Sequence, residues 1–396
     1  MKLLFFSLLA VLFLQSNGQP KNDSLWNIWS NESLEDTLRI DVMNDMGTDA
    51  VRFTMLVGST PGVNTNLSLQ KVEANRNFAN KVWNAGRFVL GNLENAPLLP
   101  QAKADWTLAD SWIWARMQQL IRDVDRLFNN HQYGEAGRYI YDFFWSEYAD
   151  WYLEISKSQI AEGGDRAYYT IETLIRVLDT CMRLLHPFTP YITEELWQHL
   201  KNAVCNSPLK DRLPDWGEAL MISAWPEPRA EEDWEKEKVS DFELIQEIVR
   251  TIRNLRAEKN IKPGKLIPAN LVSSTYSDML EREIRSLITL AQLDPEKTTI
   301  KKVMDEKPQN QIALVAGSVE IYLPLSGLID PKAENKRLSS ELKELTGQIK
   351  RLEDLLASPF AKKAPEAVVN KEKEKLAGYK DTVLTLNEQI KNLKGI

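Results

Sequence analysis

Leu338, Leu342, Leu345, Ile349, Leu352 and Leu356 step by four, three, four, three and four residues. After SPFAKKAP at 358–365 the beat resumes at Leu376, Tyr379, Val383, Leu386, Ile390 and Leu393. An apolar seam of this period fits a coiled coil. Pro359 and Pro365 cannot continue a helix, so the pattern predicts an antiparallel helical hairpin over 332–396. Such a hairpin is either an arm that touches a partner or a dimerising or purely structural coiled coil, and spacing alone leaves both open.

Charge separates the arm from the rest. Residues 332–396 hold 14 Lys and Arg against 10 Asp and Glu, an excess of four, in a 396-residue chain of net charge −7. The remaining 331 residues therefore carry −11, an acidity that hides a basic arm. A long basic arm suits sequence-independent contact with phosphates, although solvated helical faces carry similar excesses.

Upstream of the arm the texture is also helical. Five helices are predicted, at 68–93, 107–129, 135–161, 165–186 and 190–203, with breaks at APLLP (96–100), Gly163-Gly164 and His186-Pro187. With no strand signal between them they form a helical bundle, assigned to 67–230. Residues 206–230, rich in Pro and Trp, read as an ordered crossing loop. A helix at 231–258 follows, then β-rich runs at 266–273, 298–304 and 311–323, with Gly317-Ser318 as a hairpin turn and a helix at 277–288. This is a small α+β unit over 231–331, and the fold class is mainly α. Residues 1–18 form a different segment: Lys2, an apolar run from Leu3 to Leu14 and small residues at Ser16 and Gly18 read as a secretory signal peptide. Residues 19–45 match none of the later patterns, 46–66 read as a remnant that would link the bundle to a catalytic core missing here, and sequons stand at Asn22, Asn31 and Asn66.

Little chemistry is legible. With 43% hydrophobic and 27% charged residues the chain is globular rather than disordered or polytopic. Cys181 and Cys205 lack CxxC spacing, which excludes a disulfide framework and a zinc knuckle. Of three histidines, His131 and His186 sit at predicted helix ends, where structural roles outweigh catalysis. There is no GxGxxG, GxxxxGK[ST], HExxH or GxSxG. No catalytic residue and no metal ligand is assigned.

One helix face carries more. In the helix spanning 76–90, Phe78, Val82, Ala85 and Val89 recur as a core stripe. Asn77, Lys81, Asn84 and Phe88 repeat that spacing one residue earlier, combining amides, a cation and a ring. That mixture reads exposed bases: stacking, base-edge hydrogen bonds and a cation for phosphate. The plainer reading has Phe88 widening the core face while Lys81 lays its stem along it.

The strings GTDAVRFTMLVGSTPG (47–62), NLSLQKVEANRNFANKVWNAGRF (66–88), YDFFWSEYADWYLEISK (141–157), LLHPFTPYITEELWQ (184–198), IYLPLSGLID (321–330) and FAKKAPEAVVNKEKEKL (360–376) resemble valyl-tRNA synthetase, a class I aminoacyl-tRNA synthetase. Isoleucyl and leucyl enzymes have similar bundles, but the absence of CxxC together with the heptad arm favours the valyl family. The resemblance runs in order from Met46 to the C-terminus. It implies a bundle that receives the anticodon and a coiled-coil arm that contacts the tRNA body.

By that resemblance Lys81 and Phe88 face the anticodon, with Asn84, Asn77 and Arg87 as neighbours. Gln70 stands where the family can carry a basic contact residue. Lys343, Lys350, Arg351, Lys362, Lys363 and Lys371 are the arm cations implied against the tRNA body. The expected partner is tRNA, of the valine isoacceptor, bound by a monomer, with neither DNA nor, once the signal is removed, membrane. ATP and Mg²⁺ belong to the full-length family enzyme. Its His-Ile-Gly-His and Lys-Met-Ser-Lys-Ser signatures and its editing domain have no match here, and LWNIWSNESLEDTLR (25–39) lies where the second signature is due. The chain is therefore expected to be inactive alone in aminoacylation. Family members are cytosolic or organellar, which conflicts with the signal-like N-terminus. A secretory segment joined to a synthetase fragment is the favoured explanation. A secreted helical protein whose arm binds another protein, or a non-catalytic synthetase paralogue, are the alternatives.

Overall fold

The computed structural model describes residues 47–57, 68–94, 96, 106–213, 216–304, 311–324, 331–357, 372, 375, 376, 378–380 and 383. The signal-like run, the segment 19–45 and the sequons at Asn22, Asn31 and Asn66 lie outside these residues. The chain divides into two units, one ending at Glu243 and the other beginning at Leu244.

In the first unit, helices α1 (Thr48–Leu56), α2 (Leu69–Leu93), α3 (Leu108–Asn129) and α4 (Tyr133–Asp142) are followed by a π-helical stretch, Phe143–Tyr152. Helices α5 (Leu153–Ala161), α6 (Gly164–Leu185) and α7 (Pro190–Cys205) complete it. Local chemistry sets the boundaries. Ser68 Oγ accepts from Lys71 N at 3.3 Å at the start of α2. Thr107 and Asp110 satisfy each other's backbone N–H groups at 3.1 and 3.0 Å, a capping box for α3. Pro190 opens α7. Two results differ from the sequence expectation. Helix α1, nine residues long, is too short to show a periodicity. The continuous helix expected over 135–161 instead widens into π winding over Phe143–Tyr152.

The core stripe of α2 lies where expected, with Phe78, Val82, Ala85 and Val89 all buried. A Cβ on Gly86 would meet side-chain carbons of Leu196 at 2.4–2.9 Å, so glycine permits the close approach of α2 and α7. Trp112 is buried against Phe242, ring centroids 4.1 Å apart. The loop 206–230 is ordered by bonds from the bundle. Glu194 accepts from Leu220 N at 3.1 Å, and Lys201 Nζ and Arg183 Nη1 donate to the carbonyls of Gly217 and Ala224 at 2.7 and 2.9 Å. Arg176 donates to the carbonyl of Arg212. Each bond gives a loop carbonyl or N–H a partner, which is how a long connection can lie fixed on a helical surface.

Helix α8 (Asp233–Glu258) carries the chain into the second unit, where Ile245, Ile248, Val249 and Ile252 are buried. A four-stranded mixed sheet follows in the order β2–β1–β4–β3, from β1 (Asn270–Val272), β2 (Thr299–Lys301), β3 (Gln311–Ala316) and β4 (Val319–Pro324). β1 and β2 are parallel, the other pairs antiparallel. Ala316 pairs with Val319 across Gly317-Ser318, and Gly317 has φ +52°, as a tight hairpin turn requires. The run 266–273 contributes only three residues of strand, because Pro268 has no N–H to extend the ladder. The helix expected at 277–288 is two, α9 (Ser277–Arg282) and α10 (Ile284–Ala291).

The arm begins with α11 (Pro331–Ala357). Leu342, Leu345, Ile349, Leu352 and Leu356 are half-buried along it, as are Leu376, Tyr379 and Val383 on the returning segment. Lys380 Nζ lies 2.6 Å from Glu353 Oε1, which brings residue 380 back beside 353 as an antiparallel hairpin demands. The architecture is mainly α, as expected. Among the described residues no helix is long and apolar enough to cross a membrane.

Candidate nucleic-acid interface

Gln70, Asn77, Lys81, Asn84 and Phe88 are separated by seven, four, three and four residues, so they share one face of α2. At 1.5 Å per residue the row is about 27 Å long. Gln70, Asn77 and Asn84 are exposed, and Lys81 and Phe88 half-exposed. Arg87, adjacent to the row, is exposed.

A second helical segment runs beside this row. Lys81 Nζ lies 2.6 Å from Asp150 Oδ1, and Lys157 Nζ lies 6.0 Å from the centroid of the Phe88 ring. Seven residues separate 81 from 88 and seven separate 150 from 157, in the same sense, so α2 and the segment leading into α5 run parallel. Lys81 Nζ also lies 4.9 Å from the ring of Trp145. Trp145 stacks on Tyr141 at 5.7 Å and 14°, and Tyr141 packs on buried Phe78 at 4.5 Å. One end of this aromatic column is anchored in the core and the other is half-exposed beside Lys81.

The π winding makes this arrangement. Trp145 and Asp150 are five residues apart, and in a regular α-helix they would point about 140° from each other. With i to i+5 bonding the angle between them narrows, and both reach Lys81. Reading the sequence at a period of 3.6 therefore finds Lys81 and Phe88 but not Trp145, Asp150, Tyr141 or Lys157. The available signal was the density of rings and charges in YDFFWSEYADWYLEISK.

The electrostatics are loose. Lys81 is 32% and Asp150 46% exposed, so their pair contributes about 0–1 kcal/mol and is easily exchanged for another anion. Lys157 is likewise shared with Glu154 at 2.7 Å. Here two cations lie beside two aromatic faces, each cation held by an exposed carboxylate that a phosphate could replace.

In the second unit Lys343, Lys350 and Arg351 are exposed on α11. Lys362, Lys363 and Lys371 lie outside the described residues. His131 and His186 end helices, with Nδ1 atoms 3.2 Å from Asn129 O and 2.8 Å from Thr193 Oγ1.

Residues 110–271 match the anticodon-binding domain of tRNA ligase, and residues 330–394 match the valyl tRNA synthetase tRNA binding arm. The valine–tRNA ligase of Carboxydothermus hydrogenoformans is 40% identical over 347 residues, covering 86% of this chain and 37% of its own. That of Dehalococcoides mccartyi is 38% identical over 350 residues, covering 88% and 38%. That of Bacillus subtilis is 33% identical over 359 residues, covering 90% and 39%. The chain thus spans less than two fifths of the length of these relatives.

Proposed function

We propose that this chain, which belongs to the valine–tRNA ligase family through its C-terminal anticodon-binding domain and tRNA-binding arm, binds the valine isoacceptor of tRNA as a monomer. The bundle takes the anticodon stem and loop, and the arm lies along the tRNA body. The observation that carries the reading is the row of amides, cation and ring on α2, flanked by a half-exposed Trp145–Tyr141 stack and Lys157. In this reading Phe88 receives a splayed base, Lys81 exchanges Asp150 for a phosphate, and Gln70, Asn77, Asn84 and Arg87 offer hydrogen bonds along the row. Lys343, Lys350, Arg351, Lys362, Lys363 and Lys371 hold the backbone without reading sequence.

Binding driven by phosphate contacts weakens steeply with salt. For Z contacts the log–log slope is about −0.7Z to −0.9Z, and anisotropy titrations with a labelled tRNA transcript from 50 to 200 mM salt measure it. A valine transcript that binds no more tightly than other tRNAs removes the isoacceptor assignment, and absence of tRNA binding at low salt removes the reading. ATP and Mg²⁺ are expected only of the full-length family enzyme. The 396-residue polypeptide alone is expected to show no valine-dependent ATP–pyrophosphate exchange, because no nucleotide-binding signature is present in its sequence.

The Lys81–Asp150 pair makes a further prediction. Asp150→Asn keeps the shape but frees the lysine charge, so tRNA affinity is expected to rise by up to about fivefold, the equivalent of 1 kcal/mol. A fall in affinity in the same titration would mean that Asp150 contacts the RNA or orders the site.

A further inference from the structure

Phe88 is the ring on the α2 side of the interface, and Trp145 is the ring on the facing side. The Trp145 indole ends a column of rings that runs into the core. It stacks on Tyr141 with centroids 5.7 Å and planes 14° apart, Tyr141 packs on Phe78 at 4.5 Å, and Phe78 lies 5.2 Å from Phe53. Phe53 and Phe78 are each 1% exposed, whereas Tyr141 and Trp145 are half-buried. The column thus fixes the indole plane from behind, so a ligand that stacks on it has little side-chain freedom left to freeze.

One ammonium group occupies that plane. Lys81 Nζ stands over the indole, 4.9 Å from its centroid, and lies 2.6 Å from Asp150 Oδ1. Neither hold is strong. A pair between side chains 32% and 46% exposed is worth at most about fivefold in an equilibrium constant. A cation over a half-exposed ring is worth about two- to fivefold, and a base stacked on an aromatic ring about five- to 150-fold. A phosphate that takes the ammonium replaces Asp150, and a base that then lies on the indole outweighs the cation–π contact it displaces.

The spacing suits two splayed bases. Lys81, beside Trp145, and Phe88 are seven residues apart on α2, a rise of about 10 Å. That is about three times the 3.4 Å between nucleotides in one strand of a duplex. Bases on both rings therefore belong to an unpaired loop and not to a stem.

We propose that Trp145 is a second base-stacking platform of the RNA interface, uncovered when a phosphate draws Lys81 away from the indole and from Asp150. The platform rests on the tRNA reading of the chain and extends it. RNA is the occupant because the ring continues the α2 row, and because Tyr141, Trp145 and Asp150 all lie within residues 110–271, matched to an anticodon-binding domain.

The test is binding of an anticodon stem-loop transcript to the full chain, for wild type, W145F, W145L, K81Q and K81Q/W145L. W145L is expected to bind on the order of tenfold more weakly, and W145F within about threefold of wild type, because an aromatic face remains. K81Q makes the log–log salt slope shallower by about 0.7. In that background W145L still costs on the order of tenfold, since the ring acts on a base and not through the lysine. Abasic substitution of each loop nucleotide in turn finds that base: the position at which W145L no longer costs affinity differs from the one at which Phe88→Ala no longer does. W145L binding within about twofold of wild type overturns the platform and leaves the tRNA reading intact. A W145L effect that vanishes in K81Q makes Trp145 only the seat of Lys81, and W145F as weak as W145L, with a lowered urea midpoint, makes it a packing residue. Either result overturns the platform, as does coupling of Trp145 and Phe88 to the same nucleotide. Absence of wild-type binding overturns both platform and reading.

Discussion

Asp110→Ala is expected to lower the stability of the first unit by about 3–5 kcal/mol, the cost of breaking a buried charge network at one partner. Asp110 is 2% exposed and its carboxylate accepts three bonds: from Tyr152 Oη at 2.8 Å, Arg166 Nη1 at 3.0 Å and Thr107 N at 3.0 Å. Burial first, and then the Asp110 charge, push the Tyr152 hydroxyl up, so the phenol stays a donor. Gln159 extends the network, donating to Thr107 Oγ1 at 2.8 Å and accepting from Thr170 Oγ1 at 3.2 Å. Alanine would remove at once the buried carboxylate that the Arg166 guanidinium, the Tyr152 phenol and a helix N-terminal N–H share. All twelve tryptophans precede Leu244, so urea unfolding followed by tryptophan fluorescence reports on this unit. The D110A/Y152F/R166M combination removes the stranded groups and should recover part of the loss. A loss below about 1 kcal/mol in Asp110→Ala would show that water reaches the network.

Phe88→Ala is expected to weaken binding of an anticodon stem-loop by about 1–3 kcal/mol, the value of one base stacked on an aromatic ring. Phe88→Tyr should retain most of it, since the π face survives. Phe88 is half-exposed on α2, so the substitution spares the buried row of Phe78, Val82, Ala85 and Val89, and fluorescence unfolding gives the control. Equal affinity of wild type and Phe88→Ala for the stem-loop would remove Phe88 from the interface. Lys157 faces the same ring at 6.0 Å, which places a cation beside any base stacked there.

These two sites differ in how far the sequence exposed them. The sequence placed the start of a helix at 107, but the Thr107–Asp110 capping box that sets it and the burial of Asp110 beneath Arg166 came only with the structure. The α2 row was legible because one helix carries all of it. Its opposite wall was not, since Lys81 and Asp150 are 69 residues apart and the partner segment does not keep α-helical spacing. The short α1 was likewise illegible, because nine residues span too few turns for a stripe to repeat.

The sequence by itself determined the periodic features: the heptad seam of the arm, the two stripes of α2 and the Gly317-Ser318 turn. Each depends on neighbours within a few residues, where helix and turn geometry is fixed by the backbone. Only the tertiary structure decided which charges meet. It set Asp150 and Trp145 on Lys81 through π winding, and it set Arg166 on the buried Asp110 of another helix. Pairing of this kind depends on distances across the fold, which local periodicity does not encode.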